Sequence, residues 1–233
     1  MDGPDNKKKR GKARSNQALK NVPPIRVLWL ATRLLIDCFK ARGYTFEIKR
    51  FQTKENLFQE YVQNTVLKDG DMHRLWIEAT EIINCQLMPD NPKNQRQVMG
   101  CLLPDVQLNK KPATQLLEDL KTKHVYRAII IWPTAGSPFA VKMLREQFLL
   151  QTWTYTLVQS QFYRAACTMA HKRLNPIEKD QFYRRYHLKP ENVGALMKTN
   201  TQMAAFLGVK KNDIVKIFRV TEAGLVTDYR RVE

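Results

Sequence analysis

Apolar positions fall at Val27, Leu30, Leu34, Leu35 and Cys38, the spacing of one helix face, and Gly43 supplies a stop. Phe51 to Val66 reads as a second helix or irregular segment, and Arg74 to Leu87 mixes helix and strand signals. Asp90 to Asn94 is a loop, Val98 to Leu103 a strand and Thr114 to Thr122 a helix. Ala128-Ile-Ile-Ile-Trp132 is apolar without alternation, as a strand covered on both faces requires. Pro133 to Gly136 turns the chain, Ser137 is placed to cap a helix, and Pro138 suits its first position. Trp153 to Phe162 alternates and predicts a further strand. Asn175-Pro-Ile-Glu178 has the form of a capping box and predicts a helix to about Tyr186, exposing Arg184 and Arg185.

The C-terminal pattern is the clearest. Thr199, Asn200 and Thr201 are acceptable N-caps for a short helix over Gln202 to Leu207, and Gly208 stands where helices end in the left-handed conformation. Lys210 to Asp213 reads as a turn in which Asn212 tolerates positive φ. Ile214 to Val220 is a strand, Thr221 to Gly224 a reversal, and Leu225 to Val232 the returning partner. Charges at Lys216, Arg219, Arg230 and Arg231 make one face of this hairpin wet or partner-facing.

Composition adds a bias towards anionic partners. The chain has 233 residues, 43% of them hydrophobic, and a net charge of +17. That length holds one large domain or two modest ones with a packed core. The excess is spread: seven basic and two acidic groups lie in residues 1–24, eighteen and thirteen in 25–152, and fourteen and seven in 153–233. Nucleic acid or an acidic protein surface would suit it, and so would a soluble basic protein with scattered charge. Residues 1–24, with Lys7-Lys-Lys-Arg10 at their centre, lack apolar periodicity and read as a disordered basic tail. Nuclear import by Lys7, Lys8, Lys9 and Arg10 is one role for it; simple solubilisation is the other. No apolar run reaches the roughly 20 residues that span a bilayer, and the N-terminus has no signal-peptide core, so no membrane partner is expected.

Candidate chemistry is sparse. Cys38, Cys85, Cys101 and Cys167 are far apart with no adjacent histidine, which argues against zinc or a disulfide framework and for reduced, buried thiols. His73, His124, His171 and His187 lack metal or nucleophile spacing. Pro104-Asp105 followed by Asp119-Leu-Lys121 has the order of a magnesium nuclease word. Asp119 falls in a predicted helix, however, whereas that chemistry needs neighbouring strands. A free-standing RNA-binding protein would need an aromatic platform, and the aromatics look dispersed through the core. No cofactor is expected.

The C-terminal residues resemble the signature of the fifth subunit shared by eukaryotic RNA polymerases, a family that also has an archaeal branch. Ala204, Phe206, Gly208, Lys210, Val215, Lys216, Ile217, Arg219, Glu222, Ala223, Gly224, Tyr229, Arg230 and Val232 fall in step with it, the turn before Ala223 being one residue shorter. Upstream, Arg26 to Tyr44 resembles the family's opening helix, which closes on an Arg-Gly-Tyr. Arg127-Ala-Ile-Ile-Ile131 and Ser137-Pro-Phe-Ala140 resemble its strand and Thr-Pro-Ser-Ala turn. Departures are plain: Thr201 and Gln202 replace an Asp-Pro, Ala205 an arginine, Asn212 the turn glycine and Phe139 a serine. They imply a divergent member, such as a paralogue dedicated to one polymerase.

The resemblance implies an α+β protein. After the tail, residues 25–157 would form a jaw of mixed sheet and helices, similar in fold to nucleases but inactive, and residues 158–233 a smaller α+β assembly domain. It implies a non-catalytic subunit of a DNA-directed RNA polymerase, in the nucleus, or in the nucleolus if it serves polymerase I. Its partners would be the largest polymerase subunit, neighbouring small subunits and, weakly and without sequence preference, downstream duplex DNA, rather than a second copy of itself. Ser137, Pro138 and Lys142 would face the DNA. Lys210, Lys211, Lys216, Arg219, Tyr229 and Arg230 would serve docking.

Overall fold

The computed structural model describes residues 25–66, 75–82, 95–102, 109–123, 125, 127–132, 137–164 and 170–233. The basic tail, the Asp90–Asn94 loop, the Pro133–Gly136 turn, Asp105, Cys85 and Cys167 lie outside them. The fold is mixed α+β and divides into two compact units, 1–36 with 45–160 and 37–44 with 161–233.

In the first unit, α1 (Ile25–Ala41) begins the described chain. A 3-10 turn (Arg50–Gln52) and a short helix, α2 (Glu55–Tyr61), follow and run into a π turn, Val62–Val66. Strands β1 (Leu75–Ile82), β2 (Gln95–Leu102), β3 (Arg127–Trp132) and β4 (Leu149–Thr154) then form one sheet in that order. β1 pairs antiparallel with β2, while β2, β3 and β4 run parallel. The parallel crossovers are made by α3 (Lys110–Thr122) and α4 (Pro138–Arg145), as βαβ units require. The continuous apolar run is thus the inner strand β3, flanked on both sides. One of its faces, Ala128, Ile130 and Trp132, packs with Leu116, Leu120 and Leu144 of α3 and α4. Ile129 and Ile131 on the opposite face are just as buried.

Helix α3 starts at Lys110, four residues before the expected start at Thr114. Pro112 is no obstacle there, because a first-turn N–H has no intrahelical partner to lose. The strand expected from Trp153 to Phe162 is a correction. β4 stops at Thr154, whose Oγ1 accepts from the Leu157 N–H at 3.4 Å and opens a short helix, α5 (Tyr155–Gln159). Tyr155 and Val158, three apart, are both buried, so the period has already changed from two to that of a helix.

The second unit is a sheet ordered β5 (Ala170–Arg173), β7 (Ile214–Thr221), β8 (Gly224–Val232) and β6 (Leu196–Met197). Among its described residues the α-helices α6 (Pro176–Tyr186) and α7 (Gln202–Leu207) accompany it. The capping box at α6 forms in both directions: Glu178 N–H donates to Asn175 Oδ1 at 2.8 Å, and Asn175 N–H to Glu178 Oε2 at 3.0 Å. Phe182 of α6 is buried with Leu174, Val193 and Ile214.

The last turn of α1 belongs to this second unit, and its chemistry explains why. Gly208 ends α7 at φ 63°, its N–H donating to Ala205 O at 3.2 Å, and the last carbonyls of that helix can accept further donors. Arg42 supplies them: its Nε donates to Phe206 O at 3.0 Å and its Nη2 to Ala205 O at 2.6 Å. The Cys38 thiol also donates to Phe206 O, at 3.2 Å. Burial pushes that thiol up to about 11, which keeps it protonated and unreactive at neutral pH.

Candidate functional site

Antiparallel pairing places side chains of opposed residues on one face of a sheet. In the second unit Lys172 of β5 opposes Lys216 of β7, and Lys216 opposes Tyr229 of β8. A row of two cations and a phenol therefore crosses three strands. Like charges directly opposed are unfavourable. The offset comes from α6: Lys172 Nζ donates to Glu178 Oε1 at 2.5 Å. That hydrogen bond, with the Asn175 N–H and the nearby Lys216 charge, holds the Glu178 carboxyl below its ordinary range. The carboxylate bonds Lys172 directly and feels Lys216 only as a nearby charge.

Aromatic rings line the same face. Phe182 lies 4.6 Å and Tyr186 5.7 Å from the Tyr229 ring, centroid to centroid. Lys216 Nζ is 4.8 Å from the Phe218 centroid and 5.9 Å from that of Tyr229, within cation–π range. Arg185 stands 5.8 Å over Tyr186. Partial burial, then its hydrogen bond with Tyr186, pushes the Tyr229 phenol above its ordinary range, so it is neutral at physiological pH. Together these groups wall a cleft of about 220 Å³ between α6 and the sheet. The expectation of dispersed aromatics is corrected here. Phe182 and Tyr186 sit one helical turn apart, a legible signal, but nothing in the sequence joins them to Tyr229.

The six residues expected to serve docking do not form one patch. Lys216 and Tyr229 share the cleft face. Arg219 and Arg230 point to the other face, where both meet Asp228, at 2.9 and 3.5 Å. Lys210 and Lys211 are exposed in the turn before β7, which Asp213 braces by accepting from the Lys210 N–H at 2.8 Å. Asn212 takes φ 70° there; its carbonyl accepts from Lys179 Nζ at 2.7 Å and its Oδ1 from Arg231 at 3.3 Å. The hairpin closes on a two-residue loop, Glu222-Ala223, with Val220 and Leu225 strongly exposed beside it.

In the first unit, Ser137 caps α4 by accepting from the Ala140 N–H at 3.2 Å, and Pro138 takes the first helical position. Lys142 is exposed one turn on, and Phe139 is 58% exposed with Lys110 Nζ 5.9 Å from its ring. Asp119 lies on α3, not on a strand. Among the described residues no group of three His, Cys, Asp or Glu could hold a metal ion, and no helix is long and apolar enough to cross a membrane.

The Glu178 carboxylate makes a titration prediction. A carboxyl depressed in the folded state stabilises it above the group's ordinary value of 4.5 and loses that contribution as pH falls through the folded value. Glu178→Gln is therefore expected to lower stability at pH 7 by up to about 1 kcal/mol, the pair being partly solvated. In urea titrations the gap between the two proteins should close as pH falls below 4.5. A gap that does not narrow at all as pH falls below the ordinary carboxyl value would assign the loss to geometry rather than charge.

Residues 165–232 match the family described as RNA polymerase Rpb5, C-terminal domain. The match spans all four strands and both helices of the second unit, from β5 to the end of β8. Rpb5 is a non-catalytic subunit of a multi-subunit RNA polymerase. Over residues 165–232 the chain is therefore similar to the C-terminal domain of the RNA polymerase subunit Rpb5, the family its C-terminal residues resemble.

Proposed function

We propose that this protein scaffolds the largest subunit of a nuclear DNA-directed RNA polymerase through its second unit, while its first unit acts as a jaw that supports downstream duplex DNA. The match over residues 165–232 carries the reading. Exposed Lys210 and Lys211, the cleft face and the hairpin end with Val220 and Leu225 offer polar and apolar surface for a protein partner. For the DNA role, the support is the cationic surface near Ser137 and Pro138: Lys142 on α4, with Lys110 and Lys111 on α3, all exposed. Scattered lysines of this kind neutralise phosphates without reading bases.

Purifying the tagged full chain from its native cells tests the assembly role, and the largest subunit recovered identifies the polymerase. Recovery of the chain free of any polymerase subunit would sink it. In polymerase rebuilt with Lys142→Gln and Lys110→Gln, affinity for downstream duplex is expected to fall. Its salt dependence should flatten by roughly one unit of log–log slope for each phosphate no longer neutralised. An unchanged slope removes the DNA-facing role and leaves the scaffold role standing.

A further inference from the structure

We infer that the cleft between α6 and the β5–β7–β8 face receives a short acidic segment of a protein partner, seating one large apolar side chain among the rings and a flanking carboxylate at the rim. The inference rests on the second unit docking on protein, and it specifies the chemistry of one contact.

Charge comes first. Lys172, Lys216 and Arg185 line the cleft against the single carboxylate of Glu178, so two positive charges are unmatched. Lys172 and Lys216 are held directly opposite each other by strand register, an arrangement disfavoured until further negative charge arrives. Glu178 is already committed to Lys172 and the Asn175 N–H. Lys216 is left over the Phe218 and Tyr229 rings, and Arg185 over Tyr186, both facing the cleft.

Shape then selects among anions. The floor is apolar, formed by Leu174, Phe182, Phe218 and Tyr229. The space of about 220 Å³ equals roughly seven waters' share of liquid volume, the scale of one large side chain. The rings that meet around Tyr229 are tilted to one another by 38°, 51° and 59°. They enclose a socket and present no flat face of the kind on which bases stack. A Glu178 carboxylate held ionised at the rim would also repel a phosphate backbone, whereas a peptide can direct its carboxylate towards Lys216 and Arg185 and away from Glu178.

The test uses the full chain and a fluorescein-labelled heptapeptide, one tryptophan flanked on each side by three glutamates, read by anisotropy at physiological salt. Comparison probes replace the glutamates by glutamines or are a ten-nucleotide poly(U) RNA. The acidic peptide is expected to bind roughly tenfold more tightly than the glutamine peptide, two rim charges each contributing a few-fold. Lys216→Gln with Arg185→Gln should abolish the difference. Arg185→Glu, at an exposed position that leaves the core untouched, should weaken the acidic peptide on its own. Equal binding of the two peptides overturns the inference. So does acidic-peptide binding that the variants leave unchanged, because attraction to the basic tail would then explain it. RNA binding tighter than the acidic peptide and abolished in the same variants would make the cleft a nucleic-acid site instead. Tagged Lys216→Gln/Arg185→Gln chain that recovers the polymerase but no longer binds the peptide leaves the docking role intact and confines the effect to this cleft. Wild-type chain that recovers no polymerase removes the docking role itself.

Discussion

Phe58→Ala is expected to destabilise the first unit by about 3–5 kcal/mol, the cost of emptying a fully buried phenyl site that cannot collapse completely. Phe58 has no exposed surface. Its ring lies 5.5 Å from Trp29 of α1 and 6.4 Å from Phe51, which itself stacks on Tyr61 at 3.8 Å and 7°. It is the ring through which Trp29 meets the 3-10 turn and α2. Phe58→Leu keeps most of the volume and should cost under about 1.5 kcal/mol. The measurement is convenient, because all four tryptophans, Trp29, Trp76, Trp132 and Trp153, fall in the first unit. Urea unfolding followed by tryptophan emission therefore reports that unit. A midpoint for Phe58→Ala equal to that of the wild type would show that α2 is not packed as described.

Gly208→Val is expected to cost the second unit about 3 kcal/mol. A left-handed conformation costs an L-residue about 1–2 kcal/mol, and a β-branched side chain is least able to adopt it. Space adds to the penalty: a Cβ at this position would lie 2.8 Å from Arg42 Nε and 3.0 Å from its Cζ. The guanidinium could swing aside, but it would abandon the Ala205 and Phe206 carbonyls, and hydrogen bonds to a charged donor contribute about 1.5–3 kcal/mol. The two effects separate experimentally. Gly208→Asn tolerates the backbone and should retain mainly the displacement of Arg42. In an Arg42→Met background Gly208→Val should lose its steric part, leaving a coupling energy in the double-mutant cycle. Amide exchange across α6, β7 and β8 reads the effect, since the second unit has no tryptophan. Additive single effects would refute the steric conflict between Arg42 and a side chain at position 208.

Much of the second unit was legible because its signals are local. Thr201 Oγ1 accepts from Ala204 N–H at 3.2 Å, Asn175 and Glu178 cap each other, and Asn212 adopts the positive φ that only glycine, asparagine and few others tolerate. Each of these follows from one residue's own hydrogen-bonding groups or sterics. The middle of the chain was less legible. Thr154 is an ordinary strand residue until Tyr155 and Val158 find burial on one side. The helix expected from Thr114 begins at Lys110 because Pro112 can occupy a first turn.

The family words show the same division. Sequence alone determined the caps of α4, α6 and α7, the inner apolar strand β3, the C-terminal hairpin and the likeness of residues 165–232 to an RNA polymerase subunit domain, since those rest on residue type, period and order. Only the tertiary structure decided what the words are for. Arg42 of the Arg-Gly-Tyr reaches the carbonyls beside Gly208 across a separation of 164 residues, and Lys172, Lys216 and Tyr229 meet only through strand register. Contacts between distant segments depend on which surfaces bury one another, and no local propensity encodes that choice.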